Sequence, residues 1–188
     1  FPSVMKSIEL PNSFTVIPDN LFSDNYFQYI KLGNNVKSIG KNAFGSSEPV
    51  IEISTSAPPK IASNSFPNVE YLADLTVIVP NATAETAYRK ANVWQEMTFA
   101  NQNNSAEVTV DTPGDLSWEL LDECGMQAAK VVDLKVNGTI NAADFSQMLV
   151  NMKSLLRLDL TDCNITEIPD DALNGTAIYR HCDFDFYG

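Results

Sequence analysis

Ile39-Gly40-Lys41-Asn42-Ala43-Phe44 is the middle one of three copies of the hexapeptide Ile-x-x-Asn-x-Phe. Ile17-Pro18-Asp19-Asn20-Leu21-Phe22 lies 22 residues before it, and Ile61-Ala62-Ser63-Asn64-Ser65-Phe66 lies 22 residues after it. A fixed period in the twenties marks a repeat architecture, in which each turn of chain is one rung and the rungs stack. Such a stack has no built-in pocket. It presents a long, regular surface, which favours binding or spacing over catalysis.

The same step governs the residues ahead of each hexapeptide. Ile8-x-Leu10, Ile30-x-Leu32 and Ile51-x-Ile53 recur at intervals of 22 and then 21 residues. Apolar residues two apart predict a short half-buried strand. Each rung therefore reads as a strand, a turn and a second apolar anchor ending in Phe. One rung cannot bury Ile8, Leu10, Ile17 and Phe22 alone; stacked rungs bury them as ladders, with strands about 4.8 Å apart. Phe22, Phe44 and Phe66 predict an aromatic ladder. The Asn of each hexapeptide predicts a turn ladder, because its side chain hydrogen-bonds nearby backbone.

At 188 residues and 44% hydrophobic content the chain is long enough for a core. No run of 18 apolar residues occurs, so no membrane-spanning helix is expected. The chain opens in mid-pattern at Phe1-Pro2-Ser3-Val4, which reads as a trimmed or processed start, so the missing signal segment says little about the native address. Net charge is −12. It is unevenly placed: residues 1–99 hold nine acidic and seven basic side chains, residues 100–188 fifteen and five. With no basic run, nucleic acid is a poor partner, because phosphate contacts need clustered Lys and Arg. The three cysteines, Cys124, Cys163 and Cys182, match no zinc spacing and predict free, partly buried thiols rather than a disulfide framework.

The repeat pattern stops after Phe66. Leu75-Thr76-Val77-Ile78-Val79-Pro80 predicts a strand. Residues 82–97 carry Ala84, Ala87, Tyr88, Ala91 and Trp94 at helical spacing, predicting a helix that closes the stack with Trp94 as a core plug. The polar stretch Asn101-Gln102-Asn103-Asn104-Ser105 predicts a linker over residues 100–106. Beyond it, Val108-x-Val110 reads as a strand, Thr112-Pro113-Gly114-Asp115 as a helix start with Thr112 as N-cap, and residues 142–152 as a second helix. Leu155-x-x-Leu158-x-Leu160-x-x-Cys163-x-Ile165 fits the leucine-rich-repeat core pattern. It runs into Ile168-Pro169-Asp170-Asp171-Ala172-Leu173, a variant of the first hexapeptide. The expected fold is thus an α/β leucine-rich-repeat solenoid of short parallel strands, turns and short helices. It comprises a first block (1–99), a linker (100–106) and a second block (107–188).

These residues resemble the BspA-like leucine-rich repeats of bacterial surface proteins. Lys37-Ser38-Ile39-Gly40-Lys41-Asn42-Ala43-Phe44 is especially close to the family pattern. The strand ending in Val79-Pro80 and the Tyr88–Trp94 stretch resemble the segment that closes such blocks. The run from Val136 through Gly138 to Phe145, leading to Leu158-Asp159-Leu160, resembles the opening of a second block. The resemblance implies a secreted or cell-surface location and attachment to host or cell-surface proteins. It implies no catalytic residues and no cofactor.

Residues 133–144 imitate a dockerin-type calcium loop, but Lys135 puts a cation where an oxygen ligand is needed, and no metal is expected. His181 and Cys182 are adjacent, so on extended chain they face opposite ways, which disfavours a nucleophile–base pair. No phosphate loop or nucleophile elbow occurs, and no enzyme is expected. Five Asn-x-Ser/Thr sequons, at Asn81, Asn103, Asn137, Asn164 and Asn174, read as turn chemistry. What remains is the exposed strand face. Glu9, Lys31 and Glu52 occupy it in successive rungs, and Lys135 and Asp159 hold the same place in the second block. The expectation is a protein-interaction or adhesion module that meets a host matrix or surface protein through these five residues. A structural spacer or a glycan-binding accessory domain is the alternative.

Overall fold

Alternate strands of the repeat separate into two parallel sheets in the first of two units, Phe1–Asn103 and Asn104–Gly188. A computed structural model describes residues 7–45, 49–165, 168–169 and 172, with Leu149 described by its backbone alone. The Ile168–Leu173 hexapeptide variant, Asn174, His181 and Cys182 lie wholly or largely outside these residues.

In chain order the first unit runs β1 (Ser7–Glu9), β2 (Val16–Ile17), β3 (Tyr29–Leu32), β4 (Ser38–Ile39), β5 (Val50–Ile53), β6 (Lys60–Ile61), β7 (Thr76–Val79), α1 (Ala82–Tyr88) and β8 (Thr98–Asn101). One sheet has the order β1-β3-β5-β7-β8 and the other β2-β4-β6. The 22-residue step becomes register: Ile8 opposes Ile30, Ile30 opposes Ile51, then Val77 and Phe99 follow. Ile17, Ile39 and Ile61 align in the second sheet. These ladders and the rings beyond them form one core cluster. Phe22 and Phe44 stack at 5.6 Å with ring planes 17° apart, and Phe44 and Phe66 at 5.3 Å and 15°.

The hexapeptide Asn has a backbone reason as well as a side-chain one. Asn20 and Asn42 take φ of 59° and 50°, a left-handed conformation that Asn tolerates better than most residues. Asn42 Nδ2 also donates to Asn20 Oδ1 at 3.2 Å, which links the first two copies. Asn64 does not share the positive φ. Gly40 is required by proximity: a Cβ there would lie 2.6 Å from the Asp19 nitrogen.

Two expectations for residues 82–106 need correction. The single helix over 82–97 is a seven-residue α1, capped by Asn81 Oδ1 accepting from the Ala84 N–H, followed by a short 3-10 turn at Trp94–Glu96. Val93 at φ 70° breaks the helix between them. Trp94 is nonetheless buried: its Nε1 donates to the Pro59 carbonyl at 2.7 Å, and its ring meets Tyr88 edge-on at 5.2 Å. The stretch 100–106 is not a free linker. Residues 98–101 are β8, paired to β7, and strand structure resumes at Ser105. The Asn side chains that suggested a linker hold the turn: Asn101 Nδ2 donates to Glu85 Oε2 at 2.8 Å, and Asn101 Oδ1 accepts from the Asn103 N–H at 3.2 Å.

The second unit runs β9 (Ser105–Val110), α2 (Leu116–Cys124), β10 (Asp133–Ile140), α3 (Ala142–Asn151), β11 (Arg157–Asp159) and β12 (Cys163–Ile165). Among its described residues all pairings are parallel. β10 has β9 on one side, and β11 and β12 share its other side. Val108, Val110, Leu116, Leu120, Leu134, Val136, Phe145 and Met148 form its core. Helix α2 starts at Leu116, not at Thr112, because Gly114 adopts φ 106°. Its free N–H groups are capped from the neighbouring helix instead. Asp144 accepts from Gly114, Leu116 and Asn141 N–H at 2.8, 3.1 and 2.9 Å, and Gln147 accepts from Ser117 N–H at 2.8 Å. The Asn141–Asp144 capping box that starts α3 supplies this buried carboxyl.

Candidate functional site

The five strand-face residues fall into two groups, one in each unit. In the first, strand register sets Glu9 beside Lys31 and Lys31 beside Glu52. Lys31 Nζ lies 3.9 Å from Glu9 Oε1 and 3.6 Å from Glu52 Oε1. The expectation that all three are exposed fails at Glu52, which is only 7% exposed. Its carboxyl accepts from the Tyr29 hydroxyl and, at 2.9 Å, from Gln102 Nε2. A carboxyl is tolerated there because two hydrogen bonds and one ammonium meet it. Tyr29, Val50, Thr76, Ile78 and Ala100, which alternate with the inward ladder, are buried as well. The open part of this face is therefore reduced to Glu9, Lys31 and their surroundings at one edge and to Thr98 at the other. A cleft of about 280 Å³ lies beside Glu9 and Lys31, against Asn12, Gly33 and Ser54.

In the second unit the same face is open. Ser105, Glu107 and Thr109 on β9 and Arg157 and Asp159 on β11 are exposed, with Lys135 half-buried between them on β10. Lys135 stands opposite Asp159 in register, yet its ammonium pairs with Glu107 Oε1 at 3.2 Å and Asp162 Oδ2 at 3.1 Å. Asp159 turns to its own chain and accepts from the Thr161 N–H and hydroxyl at 2.9 and 2.6 Å. Arg157 Nε reaches Asp133 Oδ2 at 2.8 Å. These partners tune the charges. A hydrogen bond from Asn137, then those of Lys135, hold Glu107 below the ordinary carboxylate range. The Thr161 hydroxyl and N–H do the same for Asp159. Asp162, then Glu107, push Lys135 up. Sequence reasoning missed Glu107, Asp162 and the Asp133–Arg157 pair. Glu107 was legible, since Ala106-Glu107-Val108 alternates as Leu134-Lys135-Val136 does. Asp162 was not, because it lies in a turn.

The residues of the imagined calcium loop are committed elsewhere. Residues 133–140 are β10, Asp133 is paired to Arg157, and Asp144 caps backbone. Cys124 and Cys163 are free thiols, and burial pushes the Cys163 thiol up. Asn81 caps α1, whereas Asn137 lies within β10, not in a turn, and donates to Glu107. Among the described residues no helix is long and apolar enough to cross a membrane. The second cavity, about 660 Å³, is lined by Ala82, Thr83, Thr86, Ala87 and Lys90 of the α1 segment, and brings no polar groups together from different elements.

Residues 2–109 match the BspA-type leucine-rich repeat region, in six repeat copies. That is more than half of the chain, which belongs to this family. The match covers the described part of the first unit and ends within β9. No curated protein matches the sequence.

Proposed function

From that membership we propose that the chain is a secreted or surface-displayed module that binds a host or cell-surface protein, with no catalytic step. The second unit is, in this reading, a further repeat block. Its string from Leu155 to Ile165 carries the leucine-rich-repeat spacing, and its strands continue the parallel habit of the first. The observation that carries the proposal is the exposed, mixed-charge sheet face of β9, β10 and β11. Stacked parallel strands hold its side chains at fixed pitch, so a partner meets a preorganised array rather than mobile loops. Lys135 and Asp159 are assigned as contacts there, and Glu9 and Lys31 as contacts on the first unit. Glu52 supports Lys31 from beneath.

Alternating charge suits a protein partner of mixed charge better than a uniform polyanion, and exposed charges are screened over about 10 Å at 0.1 M salt. The test starts with capture from host matrix, mucin and serum proteins, followed by affinity measurement. Reversing Glu9, Lys31, Lys135 and Asp159 together should lower affinity at least tenfold, while changes at Thr83, Thr86 and Lys90 on the helical side leave it intact. Loss of binding from the helical-side set alone would assign the wrong face.

A further inference from the structure

Helix α2 turns an apolar pair outward. Leu116 and Leu120 are buried in the core of the second unit, whereas Trp118 and Leu121 are 65% and 53% exposed. Three residues apart, they share one side of the helix. A core-facing helix normally shows polar residues there, and indoles are enriched among the side chains that anchor partners. Asp115 and Asp122 flank the pair on that same side, each a turn from Trp118, and both are exposed. Among the described residues neither makes an ion pair, and α2 carries no Lys or Arg. Glu119 on the same helix is held above the ordinary carboxylate range by partial burial, then by repulsion from Glu123, Asp111, Asp115 and Asp122.

We propose that the outer side of α2 is a second docking surface, for a basic amphipathic segment of a partner protein. An apolar side chain of that segment would pack on Trp118 and Leu121, and Lys or Arg would face Asp115 and Asp122. Charge complementarity selects this occupant. A second copy of the same chain would bring the same carboxylates together, and like charges oppose that approach. The surface lies on a helix, apart from the β9–β10–β11 face, and does not depend on the reading given to that face.

The protein reports on its own site. Of its two tryptophans, Trp94 is buried and Trp118 exposed, so acrylamide quenches chiefly Trp118. The probe is an 18-residue helical peptide of leucine and lysine, with oligolysine of equal charge as control. Binding of the leucine–lysine peptide should shift the emission to the blue and protect Trp118 from acrylamide. Trp118→Ala with Leu121→Ala should weaken binding, read by peptide fluorescence, by roughly tenfold or more, the scale of losing an aromatic anchor. Asp115→Asn with Asp122→Asn should weaken it further at low salt than at high salt. These positions are exposed, so circular dichroism and urea midpoints should stay close to wild type. Equal binding of oligolysine, unchanged affinity in the Trp118/Leu121 variant, or self-association lost on Trp118→Ala would each overturn the proposal.

Discussion

Phe44→Ala is the sharpest probe of how the rungs cohere. Phe44 is fully buried and stacks on Phe22 on one side and Phe66 on the other, at 5.6 and 5.3 Å. Its backbone is tied on both sides too. The Phe22 N–H donates to the Ala43 carbonyl at 2.9 Å, and the Phe44 N–H to the Ser65 carbonyl at 3.0 Å. The rung therefore cannot collapse into the space the ring vacates. A large-to-small change at such a site costs about 3–5 kcal/mol, of which each stacked ring pair supplies about 0.5–1.5. Phe22 is only partly buried and has one stacked neighbour, so Phe22→Ala should cost less. Phe44→Leu, which keeps an apolar side chain, should cost about 1–2 kcal/mol. Urea unfolding followed by circular dichroism gives the three midpoints, and an unchanged slope would license the comparison. If Phe44→Ala costs only a few tenths, or no more than Phe22→Ala, the ring is not an internal rung of a ladder and the stacking argument is wrong.

Other variants follow from the same geometry. Asp144→Ala strands the N–H groups of Gly114, Leu116 and Asn141 and should destabilise the second unit by about 2–4 kcal/mol in urea unfolding; a silent change would show that water caps α2 equally well. Gly40→Ala places a Cβ against Asp19 backbone and should cost about 1–3 kcal/mol, checked by the same melt. Lys135→Met should lower the urea midpoint slightly near neutral pH. Glu107 is held low, so its share of stability is present above about pH 4 and disappears as pH falls through its folded-state value; Lys135 is raised, so its share persists until alkaline pH. The difference between Lys135→Met and wild type should therefore shrink as pH falls below about 4, and a constant difference would trace the effect to the lysine stem.

The ladders were legible in the sequence because period and register are one fact. A step of 22 residues that puts Ile30 opposite Ile8 also puts Lys31 opposite Glu9. The hexapeptide anchors and the Phe stack follow from the same arithmetic. Features set by a single backbone angle or by a distant partner were not legible. Nothing local announces that Val93 adopts positive φ and breaks the closing helix, or that Gly114 delays α2 until Leu116. Strand β8 was hidden among Asn residues whose side chains serve the turn. In the candidate site, the pairing of positions was readable but the choice of partner was not. Lys135 pairs with one register neighbour, Glu107, and with Asp162 in a turn, rather than with its other register neighbour Asp159, since Asp159 is already taken by Thr161.

The contrast between the two strand faces lies in the outward positions, taken separately from the inward ones. In the first unit they are Tyr29 and Lys31, Val50 and Glu52, Thr76 and Ile78, then Thr98 and Ala100. Every row after β3 carries at least one apolar residue, and Val77-Ile78-Val79 is apolar on both faces, the pattern of a strand buried on two sides. In the second unit the outward positions are Ser105, Glu107 and Thr109, then Asp133, Lys135 and Asn137, then Arg157 and Asp159. None is apolar, and β9 alternates strictly between exposed and buried. Water can solvate such a face at no cost, and a protein partner with matching charges can replace that water. A face bearing Tyr29, Val50 and Ile78 offers no such exchange. For that reason the contact proposed for this family member centres on Lys135 and Asp159, and Glu52 is read as a buried support whose replacement by Gln should disturb the packing of Tyr29 and Gln102 before it disturbs any partner.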